Sequence, residues 1–264
     1  MIELIKNGWG HRKLLASLVE RDISGSYSGS VLGKIWAFID PLVYVMLTMF
    51  FFQFAIRGVN TSGVPYVAWV LPQIIFWTFI SGVVNSSVGS VKEYSFLLRH
   101  KNFELRLIAV IKLLAGLVIH VFLITIVLIL LYGFLGVQFG LSTFRMVYYL
   151  LCMCLLLIAI SWIVSAIGVF WRDVRNLVSI IMQVEFWISP IFWNADRFPK
   201  PIAIVMYLNP FYYPMHGYRQ AIIMGQFGST FDWMTVYFWL LLAGLLWFGA
   251  RLFDRLALRF GDVL

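Results

Sequence analysis

The strongest constraint in this sequence is a series of apolar runs, each of about the 20 residues that a helix needs to cross a hydrocarbon core. Six can be read, Ile35 to Ile56, Tyr66 to Val91, Leu107 to Leu135, Met146 to Phe170, Leu177 to Asn194 and Trp233 to Ala250. In lipid a backbone must satisfy its own polar groups, which leaves helices or closed barrels. The runs lack the period-two alternation of barrel strands, so the expected fold class is an all-α polytopic membrane protein with six transmembrane helices. Only 12% of residues are charged, against about 25% in soluble domains, which excludes an ordinary water-soluble enzyme. The 264 residues divide into a segment 1–34, a transmembrane domain 35–250 and a tail 251–264.

The net charge of +8 would suit nucleic acid if it lay on one soluble face, but it lies between the apolar runs. The first 34 residues, the loops 92–106 and 171–176, and the tail hold fourteen Lys and Arg, and the opposite loops hold five. The positive-inside rule then puts both termini in the cytoplasm and makes membrane lipids, not nucleic acid, the expected surroundings. No cleavable signal is visible ahead of Ile35, because that segment is amphipathic. Leu14, Leu15, Leu18 and Val19 form one helical face, with Arg12, Lys13, Glu20 and Arg21 on the other. This predicts a helix lying on the membrane, either as a plain anchor or as a basic surface for lipid headgroups or a partner protein. Ser24 to Gly33 then turns the chain into the first span. Between the last two spans, Ile202 to Leu208 and Tyr213 to Ile223 are too short to cross and are punctuated by prolines, so short re-entrant external helices are expected there.

Several chemistries are missing. The closest approach to the phosphate cradle G-x-x-x-x-G-K-[ST] is Ser28 to Ile35, which has Ser28 for the first glycine and Ile35 for the final hydroxyl. No zinc signature is present, and Cys152 and Cys154, two apart on a helix, face nearly opposite directions and read as packing residues. No metal site is expected. Ionisable residues inside the spans each cost about 2.5 to 3.5 kcal/mol if central, charged and unpaired, so their positions matter. Asp40 and Lys112 lie near span ends, where a lysine can snorkel. Glu185 sits about 12 Å into its span, between the depths of Lys112, about 8 Å, and His120, about 20 Å. A Glu185 pair with Lys112 or His120, a structural hydrogen bond, and a role along a transport path all remain open. Aromatic residues make up 18% of the chain. Phe186, Trp187, Phe192, Trp193, Tyr212 and Tyr213 concentrate around one external mouth, which reads either as an interfacial belt or as flat faces over which sugar rings slide.

Taken in order, Arg21-Asp22-Ile23 with Tyr27, Ser30, Leu32-Gly33, Trp36 and Pro41-Leu42, then Trp171-Arg172-Asp173-Val174 with Ser189-Pro190-Ile191, then Asn209-Pro210-Phe211 with Tyr218-Arg219 resemble the permease subunits of ABC-2 type transporters. The resemblance covers nearly the whole chain, and is to the exporters of teichoic acid and lipid-linked O-antigen polysaccharide. It implies a homodimer in the bacterial plasma membrane, joined to two separate ATPase subunits that hold ATP and Mg, with no cofactor on this chain and no enzymatic activity of its own. The cargo it implies is a polymer on a polyprenyl diphosphate. Val64-Pro65-Tyr66 and the segment from Trp69 to Phe79 look closer to the teichoic acid exporters, with O-antigen or capsular polysaccharide as the alternative. The resemblance assigns ATPase coupling to Glu93, Tyr94, Arg99, His100, Lys101, Arg172 and Asp173, and a lipid-phosphate entrance to Arg12, Lys13, Arg21 and Lys34. Independently of the resemblance, the depth of Glu185, Lys112 and His120 in the spans offers them for the path or for structural pairing. The rivals are a membrane enzyme of lipid-linked precursors, for which no convergent acids, bases or metal ligands are visible, and a proton-coupled transporter using Glu185 and His120.

Overall fold

The computed structural model describes residues 10, 12–25, 29–54, 65–99, 103–223 and 232–264, with backbone alone for 52–54 and 99. Among the described residues every regular element is helical. An amphipathic helix α1 (Arg12–Gly25) precedes α2 (Trp36–Phe54) and α3 (Tyr66–Val88). A short α4 (Ser90–Glu93) and a 3-10 turn (Ser95–Arg99) lead towards α5 (Leu107–Gly133), which is followed by α6 (Arg145–Phe170) and α7 (Val174–Ile188). Two short helices, α8 (Lys200–Leu208) and α9 (Tyr212–Ile223), come before the final α10 (Trp233–Ala257).

Five of these, Gly33–Phe51, Tyr66–Val88, Leu107–Gly133, Leu141–Phe170 and Trp233–Ala257, are long and apolar enough to cross a membrane. The expected span Leu177 to Asn194 differs, because α7 has 15 residues and stops at Ile188. That is about 22 Å of helix against a core of about 30 Å. The cause is Pro190, whose ring drives the preceding residue out of the helical region; Ser189 has φ −68 and ψ 152. The chain beyond it continues to Phe192, whose carbonyl accepts a 3.0 Å hydrogen bond from the Tyr66 hydroxyl at the start of α3.

Helix α3 is central and is buried along most of its length against α5, α6 and α7. Lipid provides no hydrophobic drive between helices, so close backbone approach through small residues does the packing. A Cβ at Gly168 would lie 2.2 Å from the Val88 carbonyl oxygen, and one at Gly249 2.8 Å from that of Ala159. Only glycine permits these two crossings, of α6 with α3 and of α10 with α6. Beside the first, the Ser87 hydroxyl donates to Ser161 Oγ at 2.9 Å. Cys152 and Cys154 are buried free thiols in this packing, as their spacing predicted.

The ends of the bundle are chemically distinct. At one end, Arg106 at the start of α5 pairs with Asp254 near the end of α10, and Phe170 at the end of α6 meets Phe260. Helix α1, the α4 segment and the loop before α7 are at this same basic end. At the other, aromatic end, α8 and α9 cap the bundle, with the Tyr132 hydroxyl near the end of α5 donating to the Ile222 carbonyl at 3.1 Å.

Candidate functional site

The basic end is organised around one lysine. Lys112 lies in the second turn of α5 and is 5% exposed, so its ammonium needs partners. It meets the Asp22 carboxylate of α1 and donates to Glu93 Oε2 of α4 at 2.7 Å. The Tyr94 hydroxyl donates to the same Asp22 oxygen at 2.9 Å. Burial, followed by the Asp22 charge, pushes the Tyr94 phenol up from its ordinary value, so it stays protonated as a donor. Arg21 of α1 lies 4.9 Å above the Phe96 ring. The α4 segment and α1, far apart in sequence, are therefore joined through four side-chain contacts.

This arrangement revises the sequence assignments. Lys112 neither snorkels freely nor pairs with Glu185, because Asp22 and Glu93 occupy its ammonium. Glu185 instead accepts a 2.6 Å bond from Asn209 Nδ2, and His120 Nε2 lies 3.1 Å from the Tyr218 hydroxyl. Of the three alternatives left open for Glu185, the structural hydrogen bond is the one formed, because α9 and the turn before it, rather than α5, cover Glu185. Of the coupling candidates, Glu93 is half exposed, and Arg172 and Asp173 are exposed at the start of α7. Arg175 in that helix lies against Gly89, where a Cβ would be 2.5 Å from Nη2, so both candidate coupling segments share one end. Tyr94 is 1% exposed and faces inward, which makes it a strut behind the segment and not a contact surface. His100, Lys101, Tyr27 and the side chain of Arg99 lie outside the described residues.

The four entrance candidates stay on or beside α1. Lys34 pairs with Glu20 at 3.1 Å in the open, Lys13 is exposed, and Arg21 is taken up by Phe96. Arg12 edges an apolar groove of about 600 Å³ between α1 and α5. A second cavity, of about 290 Å³, has Asp22 and Lys112 at one end and His120 at the other, with walls from α2, α3 and α5.

At the aromatic end, Phe186, Trp187, Phe192 and Trp193 do form one cluster, with ring centroids 5.3 to 6.1 Å apart. Trp77 of α3 extends it, 5.8 Å from Phe186. Trp77, Phe186 and Trp187 line a cleft of about 260 Å³ between α3 and α7 with Ser81, Asn85, Ser179 and Gln183. Tyr212 backs this mouth, since Trp193 packs against the small core that buries it, whereas Tyr213 turns away from it. Tyr212 is 1% exposed in a small core with Ala203 and Met206, and Tyr213 stacks on Phe238 of α10 at 4.9 Å.

Three residues that the sequence assigned no role organise the two ends, two of them at this one. Arg219 is 1% exposed, lies 3.9 Å above the Trp69 ring, and donates to the Pro190 carbonyl at 2.7 Å and to Asn194 Oδ1 at 2.6 Å. Asn209 ties α7 to α9, accepting from the Phe211 backbone N–H at 2.8 Å while donating to Glu185. Asp22 does the equivalent at the basic end. All three stand inside the short motifs quoted above, which was the available signal.

A bundle of apolar helices with a surface helix and a linked loop at one end, and an aromatic cleft under short capping helices at the other, is the layout of a transporter membrane subunit. The family model of the ABC-2 type transporter matches residues 13–223, and the chain belongs to that family. An O-antigen export system permease protein, RfbA of Myxococcus xanthus, is 24% identical over 83% of this chain and 84% of its own length. RfbA of Klebsiella pneumoniae is 23% identical over 95% of each chain. The capsule polysaccharide export inner-membrane protein CtrC of Neisseria meningitidis is 22% identical over 83% of this chain and 81% of its own.

Proposed function

We propose that this chain is the permease subunit of an ATP-driven exporter that carries a lipid-linked O-antigen or capsule-type polysaccharide across the bacterial inner membrane. The observation that carries this reading is the end-to-end similarity to O-antigen permeases, with 95% of each chain aligned. The relatives favour this cargo over the wall teichoic acid to which Val64-Pro65-Tyr66 pointed, and Val64 lies outside the described residues. In this reading two copies of the chain flank the path, six crossings leave both termini in the cytoplasm, and two partner ATPases bring Mg and ATP. The segment Ser90–Arg99 and the exposed Arg172 and Asp173 face the ATPase. The cleft of Trp77, Phe186 and Trp187 supports passage of sugars, since aromatic faces beside Ser81, Asn85 and Gln183 offer stacking with a few hydrogen bonds.

The test has two arms. The purified chain alone hydrolyses no ATP, and hydrolysis appears only when its nucleotide-binding subunit copurifies in roughly equal amount. In cells lacking their own O-antigen permease, the chain and its ATPase together restore surface polysaccharide. Robust hydrolysis by the chain alone, or no surface polysaccharide from a correctly inserted complex, would overturn the reading.

A further inference from the structure

We infer that Lys112 is a positioning residue that clamps the Ser90–Arg99 segment to α1, so that the two move as one body when the ATPase drives export. The inference rests on the permease reading above. The contacts all point the same way. Lys112 reaches Glu93 of α4 at 2.7 Å and Asp22 of α1 from a third element, α5. Tyr94 crosses from the segment to Asp22 at 2.9 Å, and Arg21 of α1 crosses back over Phe96 at 4.9 Å. Helix α1 is in turn tied to the start of α2 by the pair Glu20 and Lys34 at 3.1 Å. A displacement of the segment therefore has a side-chain route through α1 into α2.

Charge explains why Lys112 is the keystone. Asp22 and Glu93 both lie within hydrogen-bonding distance of one ammonium, so the two carboxylates are only a few Å apart and would repel if it were removed. They sit on different elements, and their repulsion would push α1 and the segment apart. A staple serving the fold alone would show its loss as instability. A clamp serving coupling shows it as ATP spent without export.

The test uses the complex with its ATPase in nanodiscs, and matched expression in permease-deleted cells. Spin labels at Ser17→Cys on α1 and Lys92→Cys on the segment should give a single narrow distance in the otherwise unaltered protein, unchanged by Mg-ATP. Lys112→Met should broaden that distance while ATP hydrolysis stays within about twofold and surface polysaccharide falls at least tenfold. Adding Asp22→Asn and Glu93→Gln removes the repulsion, so the triple variant should regain a compact distance without regaining full export. A distance that shifts on Mg-ATP without Lys112→Met, or a Lys112→Met complex that exports normally, would overturn the clamp. If Lys112→Met fails to assemble, the distance in the unsubstituted background still decides. An unlabelled complex of the unsubstituted chain that never hydrolyses ATP or displays polysaccharide would instead count against the permease reading.

Discussion

The tightest helix crossings make a graded test of the packing, because three glycines differ only in what a methyl group would meet. At Gly168 a Cβ would be 2.2 Å from a backbone oxygen, at Gly249 2.8 Å, and at Gly82 it would meet nothing within 4 Å. Backbone cannot swing aside as a side chain can, so Gly168→Ala must open the crossing of α6 and α3 by roughly 1 Å. Overpacking of this kind costs about 1 to 3 kcal/mol. The upper end applies at Gly168, since opening the crossing also strains the bond between Ser87 and Ser161, a contribution of about 1 kcal/mol. Gly249→Ala should cost about 1 kcal/mol. Gly82→Ala should be neutral or stabilising by up to about 1 kcal/mol, through helix propensity. At this chain length a loss of 3 kcal/mol lowers the melting temperature by roughly 6 to 12 °C. Tryptophan fluorescence in detergent, followed against temperature, reads all three variants. An order other than Gly168, Gly249, Gly82, or a Gly168→Ala variant within 0.5 kcal/mol of the parent, would refute the close approach.

Two further outcomes concern the aromatic end. Glu185→Gln and Asn209→Ala should be non-additive by about 1 to 3 kcal/mol in an unfolding cycle, because they share one buried bond. The cycle of Glu185→Gln with Lys112→Met should be additive within about 0.5 kcal/mol. Arg219→Lys should destabilise by about 3 kcal/mol, since an ammonium cannot reproduce both the stacking on Trp69 and the forked donation to Pro190 and Asn194. Arg197→Lys, at an exposed position, should be silent in the same melting assay.

What was legible in the sequence, and what was not, follows from the range of the forces involved. Spans were readable because lipid demands a local property, an unbroken apolar run, and the predicted starts Tyr66, Leu107 and Trp233 are the observed helix starts. The amphipathic helix was equally local, and its Leu15 and Leu18 are the residues buried in α1. The end of the fifth span was misjudged because apolar residues continue past Pro190 while the helix stops at Ile188. Partners were harder, since Lys112 chooses between carboxylates 90 and 19 residues away. Composition cannot rank those against Glu185. The aromatic mouth shows a related effect: Phe186 to Trp193 are neighbours in sequence and stay together, whereas Tyr212 and Tyr213 sit on another helix, Tyr212 reaching Trp193 only through a small core and Tyr213 turning to Phe238 of α10.

The same geometry bears on where the energy for export comes from. A proton-coupled mechanism needed Glu185 and His120 to act together, as a carboxylate and an imidazole exchanging a proton within the membrane. Each instead has its own neutral partner, Asn209 for Glu185 and Tyr218 for His120, and His120 is further enclosed by the rings of Phe76 and Phe79 at 5.4 and 5.0 Å. An amide carries no proton onward from Glu185. The charged groups that do converge, Asp22, Glu93 and Lys112, lie beside the segment assigned to the ATPase. Export should therefore persist when a protonophore collapses the proton gradient at constant cellular ATP, and should stop when a hydrolysis-deficient ATPase partner is supplied with the gradient intact. Surface polysaccharide staining measures both. Loss of display under the protonophore alone, with ATP and the lipid-linked precursor shown to be unchanged, would restore the proton-driven reading.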